Sequence, residues 1–318
     1  MILRLLDFCG RHGTALLAGG FFVGLVAPPL AALLRPLLGT FVFLLTAATM
    51  LGVDWRALAL HLHRPVRLGL IIAWTMLGAP VATAVALRLV PLPGPLATAL
   101  VLWSASPPLI SVPAIAALLG LDSALALLVW AAGTFLTPLT LPPLVLGLIG
   151  VPLDIGVARL MGNLALFVAG AAALAAAGRF VLGGARIARR RVALSGLNVA
   201  LLLLFVVAVM DGVMRHIIAD PRTVLIYAGA AIAASAALQG LSFLVFFRLE
   251  RRTALTAALV GGNHNFAIVW ATLSPAIAAG LLLFFAMLQL PIFVLPAALK
   301  PLYRRLGATP RSISPVDE

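Results

Sequence analysis

The stretch TALTAALVGGNHNFAIVWATL sets Asn263, His264 and Asn265 directly after Gly261 and Gly262, in the middle of an otherwise apolar run. The imidazole of His264 has an ordinary pKa of about 6.5, so it can take up and release a proton near neutral pH. The flanking carboxamides can hold a polar solute or the main chain. Glycine is a poor helix former, and three adjacent polar residues cannot share one helix face. This segment is therefore expected to unwind around a polar interior. A second stretch, LVLWSASPPLISVPAIAALLG, carries Pro107, Pro108 and Pro113, bracketed by Ser104, Ser106 and Ser111. Each proline removes a backbone donor and crowds the preceding turn. In a membrane the polar groups so released must face protein or a wet cavity. The serines serve there as backbone partners or as ligands. Thr134, Thr137 and Thr140 lie beside Pro138 and either line the same cavity or satisfy carbonyls that the proline releases. Such a set suits reversible binding of a small solute or ion, with His264 coupling it to protons. The plainer alternatives are a neutral histidine bonded to a freed carbonyl, a Pro-Pro kink and a Gly-Gly packing contact. No Gly-rich phosphate loop, His-Glu-x-x-His, Asp-x-x-Asp pair or Ser-His-Asp set is present, so no enzyme and no cofactor are expected.

Long apolar helices must position these residues. Hydrophobic residues make up 63% of the 318, charged residues only 10%, and the mean hydropathy is +1.18. Soluble domains carry roughly 25% charged residues. The apolar blocks fall at 14–34, 37–53, 66–90, 96–119, 123–147, 155–178, 193–216, 222–247, 253–273 and 276–299, each near the ~20 residues that cross the hydrocarbon core as a helix. The expected fold class is an all-α membrane protein with ten transmembrane helices. Arg35, Arg88, Arg159, Arg215 and Arg222 fall on one side, and the rest of the 22 basic residues gather on the other. Arginine and lysine mark the cytoplasmic face, so both termini are expected to be cytoplasmic in a multi-pass cell (inner) membrane protein. The net charge of +13 sits in the gaps between blocks, where it meets lipid headgroups rather than nucleic acid. The expected partners are the bilayer and a small-molecule substrate, with the oligomeric state left open. Cys9 is the single cysteine, which excludes an internal disulfide and a thiolate metal site. The start, MILRLLDFCGRHG, lacks a signal-peptide layout because Asp7 and Arg11 interrupt it.

The chain also repeats. Pro138 and Pro143 late in the fifth block match Pro291 and Pro296 late in the tenth, at an offset of 153 residues. Two halves are expected, 1–150 and 151–306, followed by a polar tail over 307–318. Five crossings per half is an odd number, so the halves run oppositely through the bilayer, as in many secondary transporters. Under the same offset Pro108 falls on Gly261 and Ser111 on His264. Interrupted helices at matching places in two halves are a pointer to a transport site.

At these residues the chain resembles the bile acid:sodium symporter superfamily. The family's ninth-helix motif, Glu-x-Gly-x-Gln-Asn, lies over Val260 to Asn265, with Gly262 at the glycine and Asn265 at the asparagine. Its fourth-helix motif, Pro-Gly-Gly-x-x-Ser-Asn, starts at Pro107 and then departs: Pro108 and Leu109 replace the glycines, and Val112 and Pro113 the Ser-Asn pair. The resemblance implies ten helices in two inverted repeats, with discontinuous fourth and ninth helices that cross at mid-membrane. It also implies a panel of helices 1, 2, 6 and 7 against a moving core of 3–5 and 8–10. The departures fall on the family's sodium ligands, where this chain has Val260, Val112, Pro113 and His264, so conventional two-sodium coupling is in doubt. Proton coupling through His264, or a non-classical sodium site, is the expectation. The family's arsenite carriers use a membrane-embedded cysteine, which Cys9 does not match. The expected activity is secondary transport of a small organic solute, an organic anion on the strength of the half-helix amino termini facing the crossing. The alternatives are a non-transporting or regulatory membrane protein on the same fold, and a membrane-embedded enzyme. His61-x-His63 reads as an interfacial basic loop, and Asn163, Asn198 and Gln239 as interhelical hydrogen-bonding residues.

Overall fold

A computed structural model describes residues 2–59, 64–90, 92–149 and 156–307, and among them no strand forms. His61, His63, Asp154 and the tail from 308 lie outside the described residues. The first part of the chain gives α1 (Ile2–Arg11), α2 (Gly13–Val26), α3 (Pro28–Gly52), α4 (Trp55–Ala59), α5 (Pro65–Leu89), α6 (Gly94–Ser104), α7 (Val112–Leu118) and α8 (Ser123–Ile149). The second part gives α9 (Val157–Leu182), α10 (Gly184–Arg189), α11 (Arg191–Val209), α12 (Val213–Ala219), α13 (Pro221–Phe246), α14 (Arg251–Gly261), α15 (Phe266–Trp270), α16 (Pro275–Gly280), α17 (Leu282–Met287) and α18 (Gln289–Gly307). Among the described residues six helices are long and apolar enough to cross a membrane: α3, α5, α8, α9, α13 and the run Arg191–Ala219. Large apolar side chains such as Leu89, Leu166 and Phe180 stand exposed on their outer faces, which suits hydrocarbon rather than water.

The first connection differs from the sequence expectation of spans at 14–34 and 37–53. The chain turns at Ala27, not near residue 35, and Pro28 to Gly52 runs as one helix. Pro28 pushes the residue before it out of the helical region, and Ala27 sits at φ −117°, ψ 65°. Pro36 is instead absorbed in a 3₁₀ turn, Arg35–Leu37, where its missing donor costs little. Arg35 consequently lies inside a span rather than in a loop. Its guanidinium donates to the Asp211 carboxylate at 2.9 Å, and that carboxylate is only 8% exposed.

Two packing groups emerge. The segments 2–26, 28–52, 157–182 and 191–219 pack on one another. Small residues allow the approach: a Cβ on Gly196 would strike the main chain of Leu6, and one on Gly24 would meet Met210 and Val207. The second group gathers α5–α8 with α13–α18. Within it α7 ends on Gly120 at φ +73°. The Gly120 amide donates to Ala117 and the Leu121 amide to Ala116, the paired bonds that close a helix through a left-handed glycine. Asp122 then opens α8 by accepting from the Leu125 amide at 2.9 Å, and its own amide donates to Thr256 Oγ1 of α14. The link between α7 and α8 is thereby fastened to α14.

Candidate functional site

Both interrupted segments are broken in the structure, and the breaks meet. Helix α6 stops at Ser104, α7 starts at Val112, α14 stops at Gly261 and α15 starts at Phe266. Ser106 and Pro107 each precede a proline, which drives them toward extended backbone. Pro107 and Pro108 have no amide to continue the helix. The extended strip so formed pairs antiparallel with residues 263–265. The Leu109 amide donates to the Asn263 carbonyl at 2.8 Å, and the Asn265 amide to the Pro107 carbonyl at 2.6 Å. Main-chain groups that a broken helix would orphan satisfy one another.

The ring of His264, 1% exposed, lies inside this joint. Its Nδ1 is 2.8 Å from the Ser106 carbonyl oxygen and its Nε2 is 2.9 Å from that of Gly261. Trp103 meets the ring edge-to-face, with centroids 5.3 Å apart. Both ring nitrogens face acceptors. A neutral imidazole donates to one of them, and an imidazolium donates to both. The two protonation forms therefore differ by one hydrogen bond, either the one to Ser106 across the joint or the one to Gly261 three residues back.

The neighbouring residues divide by task. The Asn263 carboxamide donates back to the Leu259 carbonyl at 2.8 Å and so caps α14. Gly261 and Gly262 admit α13: an added Cβ would lie 2.2 Å from Ser242 Oγ in the first case and 2.1 Å from Gln239 Cγ in the second. Ser235 Oγ donates to the Gly262 carbonyl at 2.6 Å, Gln239 Nε2 reaches Ser235 Oγ, and the Tyr303 hydroxyl donates to Gln239 Oε1 at 2.9 Å. A polar chain thus runs from the break to the far part of α18. Across the joint, Pro108 packs against Gly133 of α8.

A cavity of about 490 Å³ opens beside the joint, within the range of small-molecule sites. Of the twelve residues expected at a site, Ser111, His264 and Asn265 line it. Pro107, Pro108, Gly261, Gly262 and Asn263 build the joint behind it. Ser104, Ser106, Thr134 and Thr137 are fully buried and turn back on their own helices, bonding the carbonyls of Val101, Leu102, Trp130 and Gly133. The threonines do not take the carbonyl that Pro138 releases, which is that of Thr134: each finds the carbonyl four residues before it, the usual habit of a helical hydroxyl. The rest of the wall comes from segments without a polar signature: Phe21 and Phe22 of α2, Phe205 of α11, and Phe285 of α17. Such phenylalanines read as ordinary lipid-facing or core residues, so sequence gave no signal for them. Thr46 and Gln289 also reach the wall, each already bonded to a carbonyl of its own segment. Among the described residues that line it there is no lysine, arginine, aspartate or glutamate.

Compared with known proteins, the chain matches no family model and no curated protein.

Proposed function

We propose that this protein is a secondary transporter, a divergent relative of the bile acid:sodium symporters, that carries a small organic solute across the cell membrane by alternating access. In this reading ten crossings form two inverted halves, 1–150 and 151–306, with both termini in the cytoplasm. The observation that carries the proposal is the joint itself: two interrupted helices, at 105–111 and 262–265, pair through their main chains beside an apolar cavity. Broken helices of this kind hold the substrate in many carriers because their ends present polar groups at a depth where lipid offers none. The dense packing of 2–26, 28–52, 157–182 and 191–219 on one another supports a panel, against which the remaining helices would move as a core.

Coupling rests on His264 in this proposal. The Ser106 and Gly261 carbonyls both face the imidazole. In this proposal the neutral ring keeps its proton on Nε2, toward Gly261, so that a second proton on Nδ1 adds the bond to Ser106 across the joint and its loss removes that bond. The case for an anionic cargo is offset. Helices α7 and α15 are only seven and five residues long, and the carboxyl ends of α6 and α14 bring the opposite partial charge to the same place.

The test is uptake into proteoliposomes from a metabolite mixture, with sodium and proton gradients imposed separately. The expected result is accumulation under the proton gradient, with its pH dependence lost in His264→Gln. Accumulation under neither gradient would leave the non-transporting alternative.

A further inference from the structure

The polar inventory of the cavity is uneven, and it names a class of occupant. Thr46 and Gln289 each donate to a carbonyl of their own segment, and both ring nitrogens of His264 face main-chain oxygens. Asn265 is different. It lines the cavity and is 5% exposed, makes no capping bond on α15, and its carboxamide has no hydrogen-bond partner among the described residues. Its carboxamide opens on the cavity, where an occupant that displaces water without meeting the two donors and the acceptor is costly. Ser111, at the start of α7 on the same wall, leaves its hydroxyl uncapped as well. Around this pair the wall is mostly apolar, with no ionised side chain among the described residues. Phe22 and Val294 also line the cavity and are 64% and 52% exposed, so large apolar side chains stand at its open part.

We infer that the cavity takes an uncharged amphipathic molecule from the bilayer, its hydroxyl, carbonyl or amide head read by Asn265 and Ser111 and its apolar body against the phenylalanine wall. The inference rests on the transporter reading for its purpose, but not for its binding. A free carboxylate or ammonium would be stripped of water here with no opposite charge to meet it. A strongly polar solute would find too few unused donors and acceptors. An alkane would leave Asn265 unsatisfied.

The experiment uses the full chain in nanodiscs and three twelve-carbon probes with the same mid-chain diazirine: an alcohol, a carboxylate and an alkane. After photolysis, labelled peptides are quantified. The alcohol is expected to label the segments bearing Phe22, Phe285 and Val294 most strongly. Asn265→Leu, which removes the unused donors and acceptor, is expected to cut that labelling about tenfold, the equivalent of one hydrogen bond to a buried group, while leaving alkane labelling unchanged. Should Asn265→Leu lower the unfolding temperature, Ala267→Phe serves instead, filling the cavity from its wall and abolishing labelling by alcohol and alkane alike. Carboxylate labelling equal to or above that of the alcohol would overturn the inference, as would alcohol labelling indifferent to both substitutions. Alcohol bound at this wall without uptake of any solute would overturn the transporter reading and leave this one standing. Gradient-driven uptake with no alcohol labelling would do the reverse.

Discussion

Gly262→Ala isolates the contact between the ninth-segment break and α13. Gly262 has φ −106° and ψ 5°, which alanine adopts without strain, so any effect comes from the added methyl alone. That methyl would lie 2.1 Å from Gln239 Cγ, 2.6 Å from the Ser235 carbonyl oxygen and 2.8 Å from the Gln239 amide nitrogen. Two of these neighbours are backbone of a long helix and cannot swing aside. Helix α13 must move off, which stretches the bond from Ser235 Oγ to the Gly262 carbonyl. Overpacking costs about 1–3 kcal/mol and the lost hydrogen bond about 1 kcal/mol, so a destabilisation of about 2–4 kcal/mol is expected. Gly229→Ala is the control, in the same helix α13 but with nothing within 4 Å of its added Cβ; there alanine should gain about 0.5–1 kcal/mol through helix propensity. Denaturant titration of both variants in mixed micelles measures the two effects. Should Gly262→Ala match wild type, or gain stability as Gly229→Ala does, the close approach of α13 to the break is wrong.

Three further outcomes are expected. Arg35→Ala strands the buried Asp211 carboxylate and should cost about 1–3 kcal/mol, more than Asp211→Asn, which leaves a neutral amide; a double-mutant cycle by denaturant titration showing no coupling would count against the ion pair. Thr256→Val removes the acceptor for the Asp122 amide and should destabilise by about 1–2 kcal/mol, with faster hydrogen exchange at Asp122 as the local readout. Asp220 caps α13, and bonds from Thr223 hold its carboxyl below the ordinary 3.8. Its contribution should therefore be complete at neutral pH and fade as pH falls below that ordinary value through the lowered one, so Asp220→Ala and wild type should converge in thermal unfolding at strongly acidic pH.

The two breaks were legible because their residues have only local readings: paired prolines cannot sustain a helix, and Gly-Gly followed by three polar side chains cannot bury one face. That they would be joined to each other was expected from the resemblance, but the antiparallel pairing is a property of main-chain direction, which residue types do not encode at this range. The first connection misled because Pro28-Pro29 and Pro36 both mark a turn, and only the tertiary setting decides that the second is absorbed in a 3₁₀ turn. Arg35 looked like a loop residue for the same reason; its partner, Asp211, is 176 positions away. The serines and threonines could not be sorted from sequence, because a hydroxyl that lines a cavity and one that turns back on its own helix have the same neighbours in the chain. Only the resemblance separated Asn265 from Asn263, since residue type does not: one caps a helix and the other faces the cavity.

The main-chain bonds that stitch the joint, from Leu109 to Asn263 and from Asn265 to Pro107, do not depend on which side chains line the cavity beside it. Leu109, Asn263 and Asn265 contribute backbone atoms to the stitch, and proline at 107 needs only its carbonyl. Substitutions can therefore rewrite the cavity's chemistry around a fixed hinge-like seam, so selectivity can drift from one cargo to another without the scaffold being rebuilt.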